Sequence, residues 1–124
     1  MSQDEILNYN KMCAEFLNWK SLSPKTKYCY WKFPQDLCFT LRAGEPVHSN
    51  NLLFQSDWNW IMLVIETIEK LGYWVCIQYT YIGFGKKDCE NTFLNYSFSS
   101  LRTTKKDAVV YGINQFLIWY NNNK

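Results

Sequence analysis

With 124 residues, 48% of them hydrophobic and 19% charged, the chain is long enough for one packed core and too apolar to stay disordered. A net charge of +2, a single histidine (His48) and five cysteines without C-x-x-C spacing argue against strong non-specific duplex binding, a His-rich metal site, a zinc ribbon and a disulfide framework. No apolar run approaches the roughly 20 residues that span a bilayer, and the acidic start carries no apolar signal segment, so one cytoplasmic domain over 1–124 with no cofactor and no metal is expected.

Residues 2–5, Ser-Gln-Asp-Glu, fit a capping box, and Ile6, Tyr9, Met12, Cys13, Phe16 and Leu17 follow at helical spacing. This first helix should end near Trp19 or Lys20, before Pro24. Residues 27–33 are rich in strand formers and stop at Pro34; residues 37–41 are a second candidate strand, and 42–51 read as loop, with His48 solvated in it. Ser56 is a good N-cap for a second helix bearing Trp58, Ile61, Met62, Ile65, Ile68 and Leu71, with Gly72 placed for a left-handed cap. Trp58 and Trp60 lie about 200° apart on that helix, so one of them can face out of the core.

Residues 73–82 form a long strand pattern, and Gly83-Phe84-Gly85-Lys86-Lys87 reads as the turn of a hairpin returning through 88–99. The same five residues only faintly suggest a phosphate loop, because the Walker spacing and a following helix are both missing. Thr104 caps a third helix with Val109, Val110, Ile113, Phe116, Leu117 and Tyr120 as its stripe. The expected fold is α+β: a small antiparallel sheet with three helices packed on one face, in the order α-β-β-α-β-β-α. The other face of that sheet can then expose aromatics.

No catalytic constellation emerges. Cys13 and Cys76 sit in apolar patterns and read as small core residues, and Asp57, Glu66 and Glu69 have ordinary roles as helix-terminal or exposed-face charges. Charge is instead uneven along the chain. Lys20, Lys25, Lys27, Lys32 and Arg42 stand against Asp36 alone in residues 20–42, whereas residues 43–72 hold Lys70 against four acidic groups. In the basic stretch Tyr28, Tyr30 and Trp31 interleave with the lysines. Aromatic faces beside cations suit single-stranded nucleic acid, where bases stack and cations meet phosphates. They equally suit a protein interface, where Tyr and Trp are enriched, or a plain strand edge kept soluble by lysine. The candidate binding residues are therefore Lys25, Lys27, Tyr28, Tyr30, Trp31, Lys32 and Arg42, with Lys86 and Lys87 at the expected hairpin tip.

Phe54, Ser56, Trp58, Trp60, Ile61, Met62, Val64, Ile65, Glu66, Ile68 and Glu69 resemble a recurring pattern, F-x-[ST]-x-W-x-W-L-M-x-V-[VI]-E-x-I-E, of small uncharacterised phage and prophage accessory proteins. Those proteins often close on a helix similar to residues 115–121; the resemblance covers 52–72 and 104–121 and not the N-terminal half. No activity travels with the motif, whose residues look structural. The resemblance implies an accessory protein in the cytoplasm of an infected host, and proteins of that kind often bind host machinery, anti-CRISPR inhibitors among them. The function expected from it is non-enzymatic inhibition of a host defence protein or ribonucleoprotein, such as an RNA-guided, RNA-targeting CRISPR effector with its guide RNA. The alternative is an RNA- or ssDNA-binding accessory protein.

Overall fold

The computed structural model describes residues 2–22, 30–32, 47–78, 81–86, 96–99 and 104–123. The elements run α1 (Gln3–Phe16), β1 (Lys20–Ser21), β2 (Tyr30–Lys32), β3 (Val47–His48), a 3-10 turn (Ser49–Asn51), α2 (Trp58–Lys70), β4 (Tyr73–Gln78), β5 (Tyr81–Lys86), β6 (Tyr96–Ser99) and α3 (Lys105–Asn123). The fold is α+β, with helices and antiparallel strand groups alternating as the sequence suggests. The strands divide between two three-stranded sheets, β1-β2-β3 and β4-β5-β6. The chain forms two compact units, Met1–Asn59 and Trp60–Lys124, and the first two residues of α2 belong to the first unit. The candidate strand over 37–41 and the strand residues 27–29 and 33 lie outside the described residues.

In the first unit, α1 opens on the expected capping box: the Glu5 amide donates to Ser2 Oγ at 3.2 Å and the Ser2 amide to Glu5 Oε1 at 3.3 Å. The helix stops earlier than Pro24 requires. Asn18 takes a left-handed φ of 63°, the Trp19 amide reaches back to the Ala14 carbonyl at 2.9 Å and the Asn18 amide to that of Glu15 at 3.0 Å. This is a Schellman cap with asparagine in the glycine position. It turns Trp19 inward onto Phe54, with ring centroids 5.3 Å apart. The buried stripe is Leu7, Tyr9, Asn10, Cys13 and Ala14, rotated from the expected one. Asn10 is what a hydrophobicity pattern misses: its Nδ2 donates to the Leu52 carbonyl at 3.3 Å and ties α1 to the segment after the 3-10 turn.

The second helix corrects two expectations. Its N-cap is Asp57, whose Oδ1 accepts the Asn59 amide at 2.8 Å, and not Ser56, which lies in the preceding turn. Asp57→Ala should therefore cost about 1 kcal/mol in a urea melt, whereas Ser56→Ala should stay within about 0.5 kcal/mol of wild type. The reverse order would restore Ser56 as the cap. The buried face is Trp60, Ile61, Val64, Ile65 and Ile68, while Trp58, Met62 and Leu71 are exposed. Trp60 is thus the inner member of the tryptophan pair. Gly72 ends the helix with φ of 98°, as its position suggested.

In the second unit, β4 and β5 pair from Tyr73↔Lys86 to Gln78↔Tyr81, so residues 79–80 join them. Gly83 and Gly85 are therefore strand residues and not a turn, and neither has positive φ. Their smallness serves packing. The Trp74 indole lies so close over Gly85 that a Cβ there would collide with it, and the Tyr81 ring covers Gly83. A cross-strand aromatic thus fills the space that a glycine leaves in a sheet. Gly85→Ala is expected to cost about 1–3 kcal/mol as overpacking, with a shift in tryptophan fluorescence as the indole moves aside. An unperturbed melt and spectrum would contradict that packing. On the opposite face of the sheet, α3 packs on β5 and β6. Thr104 caps α3 as expected, its Oγ1 accepting the Asp107 amide at 3.1 Å.

Candidate basic-aromatic face

The first sheet is small, and its register decides which side chains share a face. Lys20 pairs with Lys32, Ser21 with Trp31, Tyr30 with His48 and Trp31 with Val47. The Leu22 amide donates to the Tyr30 carbonyl at 2.9 Å, which carries the same register one residue further. Side chains alternate across a strand, so Ser21, Trp31 and Val47 share the inner face. Lys20, Leu22, Tyr30, Lys32 and His48 share the outer one.

Burial follows the alternation. Trp31 is 2% exposed and Val47 is buried, whereas Leu22 is 51% and Tyr30 50% exposed. Lys20 and Lys32 are both exposed. Two rows therefore cross the outer face. One holds the two ammonium groups, directly opposite each other. The next holds Leu22, Tyr30 and His48. Like charges facing each other across an antiparallel pair are unfavourable, and neither lysine has an acidic partner among the described residues.

His48 is not the solvated loop residue that the sequence suggests. It forms β3 with Val47, sets its ring edge-on to Tyr30 with centroids 5.1 Å apart, and accepts the Asn50 amide on Nδ1 at 3.1 Å. That bond starts the 3-10 turn and fixes the imidazole beside the phenol ring.

Of the residues singled out in the sequence, Tyr30 and Lys32 lie on this outer face. Trp31 is a correction: the alternation that exposes its neighbours turns it into the core. Lys86 is a second correction, since it sits at the end of β5 paired with Tyr73, at the opposite end of the strand pair from Gln78↔Tyr81. It belongs to the second unit. Lys25, Lys27, Tyr28, Arg42 and Lys87 lie outside the described residues. Lys20, Leu22 and His48 were missed as site residues. Strands of two residues, Lys20–Ser21 and Val47–His48, are too short to show a period of two.

The interior offers a thiol and a phenol, Cys13 and Tyr9, one helical turn apart and both fully buried. Burial pushes the Cys13 thiol well up, with the neighbouring Tyr9 hydroxyl pulling slightly the other way. Tyr9 is likewise raised, by burial first and then by Cys13. A protonated, buried thiol is a poor nucleophile. Cys76, read from the sequence as core, is only half-buried. No group of three His, Cys, Asp or Glu residues placed to hold a metal ion occurs among the described residues.

The buried pair predicts alkaline sensitivity with a definite sign. In the unfolded chain these groups ionise around their ordinary values of 9.0 and 10.0, while the native state keeps both protons. Their contribution is fully present below the ordinary values and is lost as pH climbs toward the raised native ones. The slope is at most about 1.4 kcal/mol per pH unit for each group. Melting temperatures between about pH 8 and 11 should fall less steeply for Cys13→Ala combined with Tyr9→Phe than for wild type. Equal slopes would contradict the assignment.

Compared with protein-family models, curated proteins and solved structures, the chain matches none. No helix among the described residues is long and apolar enough to cross a membrane.

Proposed function

We propose that this is a non-enzymatic binding protein, made by a phage or prophage, that acts in the host cytoplasm by docking on a defence complex. An RNA-guided, RNA-targeting nuclease is the proposed target. The observation that carries the reading is the outer face of the first sheet, where an open aromatic ring and an exposed leucine lie beside two lysines that have no acidic partner among the described residues. The face is built on a buried anchor, Trp31, so its outward residues are held by packing. Tyrosine is enriched at interface centres, and two lysines beside it steer association toward an acidic or RNA-bearing surface. The resemblance of 52–72 and 104–121 to phage accessory proteins supplies the biological setting.

The test is target-RNA cleavage by the host's guide-loaded nuclease with purified protein added. One equivalent should suppress cleavage, and Tyr30→Ala should relieve that suppression while melting like wild type. Undiminished cleavage at tenfold excess would remove the inhibitory role. An RNA- or ssDNA-binding accessory protein would then be the better reading, since it uses the same face without inhibiting anything.

A further inference from the structure

We infer that the outer face of the first sheet binds single-stranded RNA, with Tyr30 stacking on a base and Lys20 and Lys32 together holding an adjacent phosphate. The inference rests on the reading above, in that the RNA is taken to be the RNA component of the target complex.

The geometry favours RNA over an acidic protein surface for two reasons. First, Lys20 and Lys32 are directly opposed in register, which sets their Cβ atoms about 5 Å apart. Two flexible ammonium groups at that separation converge on one anion with several oxygens, and a phosphate supplies it. Binding replaces the repulsion between them with two favourable contacts.

Second, the neighbouring row presents an exposed leucine and an exposed aromatic ring. Leu22 and Tyr30 are each about half exposed, and His48 holds the Tyr30 ring from the side at an interplanar angle of 78°. An open ring on a sheet face is the platform on which proteins stack unpaired bases. Residues two apart on a strand are about 6.8 Å apart, so ring and ammonium lie within reach of one nucleotide's base and its phosphate. Duplex RNA has its bases already stacked and offers nothing to the ring.

The test is fluorescence anisotropy with a labelled ten-nucleotide single-stranded RNA at two salt concentrations, alongside thermal melts of each variant. Wild type should bind, and unlabelled duplex RNA should compete poorly. Tyr30→Ala should weaken binding by on the order of tenfold, whereas Tyr30→Trp should retain it. Lys32→Glu is the decisive variant because it separates folding from binding. The new carboxylate faces Lys20, so the melting temperature should stay level or rise while affinity falls. The slope of log affinity against log salt should also shrink by about 0.7 for the lost phosphate contact.

Absence of binding to the single strand, equal competition by duplex, or an unchanged affinity for Lys32→Glu would each overturn the inference. If the nuclease is inhibited although free RNA is not bound, the contact is to protein, and this inference fails while the proposed function stands. If RNA is bound as described and the nuclease is not inhibited, the proposed inhibition fails and the RNA site stands.

Discussion

Trp31→Ala is expected to cost about 3–5 kcal/mol of folding stability, the usual penalty for truncating a buried aromatic. The residue lies in a three-residue strand whose neighbours are both exposed, so the indole is the main hold that β2 has on the interior. Domains of this size are stable by only about 5–15 kcal/mol, and the variant should approach the limit of folding at 37 °C. Urea melts and circular dichroism read the loss directly. Trp31→Phe should recover part of it by refilling most of the volume. A variant that melts like wild type yet loses its partner would return Trp31 to the surface role that its sequence neighbours suggest.

Phe116→Ala should be of similar size, again about 3–5 kcal/mol. Phe116 is fully buried and joins α3 to the second sheet. Its ring stacks on Phe84 at 4.8 Å and meets Tyr73 edge-on at 5.2 Å, with Trp119 and Tyr120 each at 6.0 Å along its own helix. Such aromatic pairs contribute about 0.5–1.5 kcal/mol each beyond area burial, so alanine leaves a cavity and also strips several oriented contacts. Ile118→Ala, two residues on and 42% exposed, is the control and should stay within about 0.5 kcal/mol of wild type. Equal melts for the two variants would mean that α3 docks through another face.

The helices were legible in the sequence because capping and periodicity are local. Ser2 with Glu5, Thr104 with Asp107 and Gly72 each state a helix end within four residues of chain. Even so, the inward faces of α1 and α2 were rotated from the pattern. Asn10 is buried because a carbonyl from another segment meets it, and Trp58 is exposed because Trp60, two residues on, takes the core. The second hairpin was misplaced for a related reason. Residues 79–80, Tyr-Thr, carry no turn signature, whereas of the glycines that do resemble one, Gly85 is demanded by a tryptophan eleven positions earlier and Gly83 lies under the Tyr81 ring.

The candidate face was half legible for the same physical reason. Tyr30 and Lys32 stand out by composition, and their exposure follows from alternation once a strand is granted. Lys20 and His48 join them only through cross-strand register. That register links segments separated by stretches that hold all three prolines of the chain, and no local pattern announces it.

The central claim is that this outer face is a binding surface and not merely a solvated strand edge. It is tested most directly by calorimetric titration of the host's guide-loaded RNA-targeting nuclease with wild type and Tyr30→Ala. A saturable complex with wild type, weakened on the order of tenfold or more in Tyr30→Ala at unchanged melting temperature, is the predicted result. Indistinguishable isotherms for the two proteins, or no heat of binding with either, would contradict it.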